Sequence, residues 1–418
     1  FGKTLNMSTL RYFLERDPAR DRTAIFDDTH VWTADGGRYR EHFQRYPVIT
    51  LSFRDVLTDS WPSMWKSVRN EIRGALQVVE RDRAVWAAAN AVSDDAQWLQ
   101  CASSPDPTPA DLADALERLS RWLHTVTGER AWILIDEYDA PLLGAHQHGF
   151  IEQALAFFKP FYTSGLKDGP DLHGGVLTGI LRIAKESIFS GLNNFEVHSI
   201  LGDRMVDAFG FTEAEVTDLL DRSARSGSMD AVRAWYNGYR FGDERPATIY
   251  NPWSILSYVA SGASSPRPYW KNTSSNDLVR EQLLRRAAEV GPDVERLIAG
   301  ETIRKTIDDN VVLRDIDHRA DALWSLLTFS GYLTPTQLQF DEDGYHADLR
   351  IPNSEVAAVF RGTFVDWLRS AAGESGLSEL LAALLRGDAV VLEDVLGGVL
   401  EKSASHHDFA RGNVEAIY

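Results

Sequence analysis

The chain has 418 residues, 44% hydrophobic and 25% charged, with a formal net charge of −18. That length exceeds one ordinary core and points to two or three domains, and the acidic balance argues against broad duplex binding, whose affinity comes largely from basic residues on phosphates. No run of about 18 apolar residues occurs, so no membrane-spanning helix is expected, while a single cysteine, Cys101, excludes an internal disulfide and cysteine-built zinc sites and suits a reducing, cytoplasmic setting. As a lone thiol, Cys101 is expected to be a semi-buried small hydrophobe.

Phe1-Gly2-Lys3-Thr4 opens the chain and reads as the last half of a P-loop, whose glycine-rich front and feeding strand would precede Phe1. Met7, Leu10, Phe13 and Leu14 then fall at the spacing of an amphipathic helix over residues 4–14. Residues 47–53 read as a strand, and residues 62–91 as a helix with Trp65, Val68, Ile72, Ala75 and Leu76 on one stripe. After a Ser/Pro-rich break at 102–109, Thr108-Pro109 with Asp111 forms a helix start: a hydroxyl cap, proline in the first turn, and an acid near the positive end. The helix beyond it aligns Leu112, Leu116, Leu119 and Leu123.

Residues 131–135 are a near-continuous apolar run, as in a strand buried on both faces of a parallel sheet, and residues 175–180 are another. Helix alternating with buried strand predicts a doubly wound α/β domain. After about residue 210 the strands are expected to stop. Residues 211–260 read as an aromatic-rich helical block whose rings pack a core or an interface rather than stack on bases. A helix at 319–330 ends at Gly331, a pair of short strands turns around Asp343-Gly344, and a final helix starts near Asn353, an arrangement resembling a winged helix.

The chemistry is concentrated at three places. Lys3 has the residue type that meets β- and γ-phosphates, and Thr4 follows in the order that brings a hydroxyl to Mg²⁺. Asp136 and Glu137 end the apolar run at the carboxyl edge of a strand, where α/β folds bind ligands. Asp136 is suited to hold Mg²⁺ largely through water, and Glu137 to orient and deprotonate an attacking water. Asp139 adds a third carboxylate, read equally as a turn residue or a supporting group. Thr178-Gly179 ends the next strand, and Arg182 behind it could sense the γ-phosphate. Lys185 and Asn193-Asn194 lie further along.

Beyond these, Phe1 to Leu5, the Ile-Asp-Glu-Tyr-Asp-Ala-Pro run at 135–141 and Thr178-Gly179-Ile180-Leu181-Arg182 resemble the bacterial and archaeal AAA-ATPase-like family. So do 187–194, Gly210-Phe211-Thr212, 235–239, Tyr250-Asn251-Pro252-Trp253-Ser254, 269–274 and 330–334, in the family's order. That family is similar to AAA+ and signal-transducing (STAND-type) ATPases, and its members often carry a C-terminal PD-(D/E)XK nuclease. The resemblance implies ATP and Mg²⁺ as cofactors. It makes Gly2, Lys3, Thr4 and Thr178 nucleotide-binding, Thr4 and Asp136 metal ligands, Asp136 and Glu137 the Walker B pair, and Arg182 a sensor. It also places Asn251-Pro252 as a lid proline near the adenine, although Pro252 suits the first turn of a helix equally. The chain holds no Glu-x-Lys; residues 403–418 resemble the approach to the nuclease, which would lie beyond Tyr418.

The expected architecture is therefore α/β: a P-loop NTPase whose parallel sheet is flanked by helices, followed by a helical lid and a winged-helix-like domain. The expected boundaries are 1–208 for the ATPase core, 209–300 for the lid, 301–370 for the winged-helix-like domain and 371–418 for a linker. ATP is the expected partner and self-association stays open. Nucleic acid would be met only through the further domain, and no membrane is involved. Two rivals to ATP hydrolysis driving a switch are a nucleotide-binding scaffold with little turnover and a winged-helix DNA-binding protein with a degenerate core.

Overall fold

In the computed structural model, the described residues are 2–180 (except 57 and 168), 195–270, 282–309 (except 284), 319–362 (except 343), 386, 388–391 and 393. Helix α1 (Lys3–Leu14) starts directly after Gly2, and buries Met7, Phe13 and Leu14. Three parallel strands follow along the chain: β1 (Val48–Ser52), β2 (Ala131–Asp136) and β3 (Leu172–Leu177), hydrogen-bonded in that order. The register pairs Ser52 with Asp136 and Ile135 with Leu177, so all three strands end at one edge.

Side-chain alternation along the strands divides two layers. Val48 and Trp132 face a small cluster built from Phe13, Leu14, Phe26 and Tyr46, while Ile49, Leu51, Ile133 and Ile135 face the main core. Helices Trp61–Arg81, Ala115–Thr127 and Ile151–Leu166 pack against β1, β2 and β3 and close that second layer. β2 is buried along almost its whole length, as its unbroken apolar run requires.

Two expected helices are each divided. The 62–91 stretch breaks at Asp82, whose backbone turns extended (ψ 111°) and whose carboxylate accepts from Ala84 N at 2.8 Å to cap a second helix, Arg83–Ala89. The stretch after Thr108 forms a short turn, Pro109–Leu112, and then Ala115–Thr127. Within the first, Asp111 accepts from both Thr108 N and Thr108 Oγ1 at 2.7 Å. Cys101 is exposed, contrary to the expected semi-burial, because the helix Ser93–Ala102 turns Asp95, Leu99 and Ala102 inward instead.

Strands do not stop at residue 210. A short antiparallel pair, β4 (Tyr239–Phe241) and β5 (Ala247–Ile249), sits within the aromatic block. β6 (Ile303–Ile307) pairs with β8 (Gly344–Arg350), which pairs with β7 (Thr334–Asp341) in a three-stranded antiparallel sheet. β4 and β5 are three residues each, too short for a period to register, and β6 is recruited by a partner some 40 residues away. The helix Ala320–Phe329, the β7–β8 hairpin and a helix over 354–362 lie where the sequence predicts them. Asn353 caps the last of these by accepting from Val356 N at 3.0 Å.

Helices Glu213–Arg222, Met229–Tyr236 and Pro252–Ser261 share a hydrophobic cluster of their own, made of Val216, Leu220, Val232, Tyr236, Tyr250, Ile255 and Tyr258. The aromatic block is thus mainly packing, with Trp253 (60% exposed) the exception. No helix among the described residues is long and apolar enough to cross a membrane.

Candidate active site at the strand ends

Gly2 adopts a left-handed φ of 77° and turns the chain into α1, so that Lys3 and Thr4 occupy the first helical positions. That helix start lies against the carboxyl end of β2. Thr4 Oγ1 donates to Asp136 Oδ2 at 2.6 Å, and Lys3 Nζ stands 3.4 Å from Glu137 Oε1. From the other side, Thr178 Oγ1 donates to Asp136 Oδ1. A single carboxylate, 4% exposed, is therefore held between two hydroxyls that come from α1 and from the exit of β3.

The backbone explains why two adjacent acids diverge. Asp136 is still in register with Ser52, and its carbonyl accepts from Phe53 N at 3.0 Å. Glu137 then takes φ 53°, a left-handed conformation that a non-glycine residue holds only when its surroundings enforce it. The enforcing contacts are Tyr138 N to Thr178 O at 3.0 Å and the Tyr162 hydroxyl to Tyr138 O at 2.9 Å. Burial pushes the Tyr162 phenol well above its ordinary pKa, so it acts as a neutral donor. The kink turns Asp136 into the buried pocket between hydroxyls and turns Glu137 toward the Lys3 amine.

Pro252 closes the other flank. A Cβ placed on Gly2 would sit 3.0 Å from Pro252 Cγ and 3.7 Å from Gly210 N, so glycine is what lets these segments meet. Asn251 is buried, and its side chain caps the helix Pro252–Ser261 by accepting from Trp253 N at 3.1 Å. The structure thus brings Gly2, Lys3, Thr4, Asp136, Glu137 and Thr178 together, with Pro252 against Gly2. Arg182, Lys185 and Asn193-Asn194 fall outside the described residues.

Two contributors, Asn6 and Glu355, carry no signal in the sequence, and a third, Asp139, is read there as either a turn residue or a supporting group. Asn6 Nδ2 donates to Ala208 O at 2.6 Å, tying α1 to the segment that carries Gly210; a lone Asn inside a helix carries no signal. Glu355, fully buried, accepts from Ser254 Oγ at 2.7 Å and from Tyr269 N and Trp270 N at 2.7 and 2.9 Å. It links the helix that starts at Pro252 to the helix over 354–362. Asp139, which the sequence left undecided, is completely buried.

The donor set fits a nucleotide with Mg²⁺. It contains one amine, two hydroxyls, one buried carboxylate and one half-exposed carboxylate at a helix N-terminus, where backbone N–H groups favour anions. Among the described residues no cluster of three or more His, Cys, Asp or Glu could hold a metal. Thr4 Oγ1 and the Asp136 carboxylate are the kind of oxygens that Mg²⁺, which keeps most of its waters, takes one or two of.

Residues 1–189 match the family of predicted AAA-ATPases, AAA-ATPase-like. That stretch of the chain is similar to that family. An uncharacterized protein in the vnfD 5′ region of Azotobacter chroococcum mcd 1 is 31% identical over 361 residues. The match covers 86% of this chain and 60% of that relative, so the chain spans about three fifths of its length. No solved structure matches the chain significantly.

Proposed function

We propose that the chain is the nucleotide-handling part of a Mg²⁺-dependent ATPase whose turnover drives a conformational switch in an attached effector. The observation that carries this reading is the convergence of Lys3, Thr4, Asp136 and Glu137 at the carboxyl ends of a parallel sheet. Bound ATP with Mg²⁺ would supply the phosphoanhydride and the charge neutralisation for its cleavage. Lys3 holds the phosphate end through its amine. Thr4 Oγ1 and the Asp136 carboxylate would hold the metal, and Thr178 fixes the orientation of that carboxylate. Glu137, the more exposed acid, takes the proton of the attacking water. Arg182, at the start of the segment after β3, is the sensor in this reading.

The lid reading of residues 209–300 draws support from the separate aromatic core of that region and from Pro252 lying on Gly2. The winged-helix-like reading of 301–370 rests on the order helix, hairpin, helix around β7 and β8. Glu355 joins the two, so a displacement at the Gly2–Pro252 contact has a buried polar route toward the C-terminal sheet. A nuclease beyond Tyr418 is the effector favoured by the family resemblance. The DNA-binding rival is disfavoured by charge, since the β7–β8 turn carries Asp341 and Glu342 in a chain of net charge −18.

Glu137→Gln in the full-length protein tests the reading. ATP binding should persist, measured by equilibrium titration with a fluorescent analogue, while phosphate release falls by about a thousandfold. Hydrolysis at the wild-type rate removes Glu137 from the role of base. Tight retention with slow turnover in the wild type itself would favour the scaffold reading.

A further inference from the structure

Asp139 sits at the N-cap position of the helix Ala140–Gln147, yet its side chain makes no cap hydrogen bond there. Its Oδ2 instead crosses to the exit of β3 and accepts from Ile180 N at 2.7 Å. The carboxylate continues a backbone ladder beyond the end of the strands. Thr178 N donates to Ile135 O at 2.9 Å, Tyr138 N donates to Thr178 O at 3.0 Å, and the Asp139 side chain then supplies the next acceptor. Gly179 makes this approach possible: a Cβ on it would lie 2.6 Å from Asp139 Oδ1 and 2.7 Å from Tyr138 Cε1. Thr178 is thereby held on both sides, by the ladder at its own N–H and C=O and by the Asp139 clamp two residues on.

We propose, resting on the nucleotide reading above, that Asp139 is a positioning residue. Through its bond to Ile180 N it aims the Thr178 hydroxyl at Asp136, and so fixes the orientation of the carboxylate assigned to the metal. Asp139 touches neither nucleotide nor metal. What it contributes is an acceptor oxygen at a fixed place, which an asparagine side chain also offers.

The test uses the full-length protein and three variants, Asp139→Ala, Asp139→Asn and Gly179→Ala. The first readout is hydrogen exchange of the Ile180 amide, which needs no nucleotide. Exchange should quicken by at least about tenfold in Asp139→Ala, the scale set by losing a buried hydrogen bond. It should stay close to wild type in Asp139→Asn. In Gly179→Ala it should rise as in Asp139→Ala, although the carboxylate is intact, because the new methyl forces it away. The second readout is ATP hydrolysis as a function of Mg²⁺. Asp139→Ala and Gly179→Ala should lower kcat by about a hundredfold, the cost of a small misplacement, and raise the Mg²⁺ concentration for half-maximal rate. The KM for ATP should change little, because Lys3 and Gly2 are untouched.

Unchanged exchange and unchanged Mg²⁺ dependence in Asp139→Ala overturn the proposal. An Asp139→Asn variant as defective as Asp139→Ala also overturns it, since charge rather than the acceptor would then matter. If Asp139→Ala does not fold, the contrast between Asp139→Asn and Gly179→Ala decides. If the wild type neither binds nor hydrolyses ATP, the nucleotide reading fails on its own, and the exchange data still report whether the clamp exists.

Discussion

Replacing Glu355 by alanine removes the acceptor shared by Ser254 Oγ and the backbone amides of Tyr269 and Trp270. Ser254 is fully buried, so its hydroxyl is left without water, a cost of about 1–3 kcal/mol. Tyr269 and Trp270 are half-buried, and their amides can regain water at the lower end of that range. Against this stands the relief of no longer burying a carboxylate, about 1–2 kcal/mol in such a hydrogen-bonded setting. The net expectation is a loss of about 1–4 kcal/mol at neutral pH. Glu355→Gln separates acceptor from charge: its carbonyl can serve both amides while its NH₂ donates to a reoriented Ser254 hydroxyl.

Burial pushes the Glu355 carboxyl above its ordinary value of 4.5, against the pull of the bonds from Ser254, Trp270 and Tyr269. The folded state thus binds the proton more tightly than the unfolded one. That contribution is fully present below 4.5 and is lost as pH rises through the raised folded value. Glu355→Gln should therefore gain on wild type as pH rises through that window and hold a constant advantage above it. Urea denaturation followed by tryptophan fluorescence between about pH 4 and 8 reads both variants. The reasoning is refuted by an alanine variant as stable as wild type, or by a glutamine variant as unstable as alanine at neutral pH.

Gly238 has φ 98°, and a Cβ there would lie 2.0 Å from Pro352 O, a backbone atom with no room to yield. Gly238→Ala should cost more than about 2 kcal/mol by thermal denaturation, from strain and overpacking together. Gly74→Ala is its control: Gly74 lies inside the helix Trp61–Arg81 with nothing near its missing Cβ, and should gain up to about 1 kcal/mol. Asp95→Ala leaves the buried Trp122 indole N–H without its acceptor, while Arg118 keeps Asp114 and Arg121 is 41% exposed and can turn to water, so the change should cost about 1–3 kcal/mol. Although burial raises the Asp95 carboxyl, the bonds from Trp122, Arg121 and Arg118 hold it below its ordinary 3.8. The stability it contributes is present above that value and lost as pH falls through the folded one, so Asp95→Ala should flatten the acid limb of the stability profile.

The amino-acid sequence by itself determined the parallel sheet and the ends of its strands. β2 is an apolar run that cannot be satisfied except between two layers, and its terminating carboxylates must emerge at the edge. It also determined the start of α1, the cap at Thr108 and the turn at Gly344, because caps and turns depend on residues a few positions apart. Other features were decided only by the tertiary structure. The break at Asp82 arises when a side chain that reads as an ordinary polar helix position finds the next helix's amides. β4, β5 and β6 exist because a partner strand is present, and short strands have too few residues for a period. The exposure of Cys101 follows from which face of one short helix meets the core. The same holds for the site: residue types named Lys3, Thr4, Asp136 and Glu137, whereas the kink at Glu137, the clamp from Asp139 and the buried Glu355 depend on groups far apart in sequence. Local order can be read from neighbours along the chain, but a buried carboxylate's role is set by whichever donors the fold delivers to it.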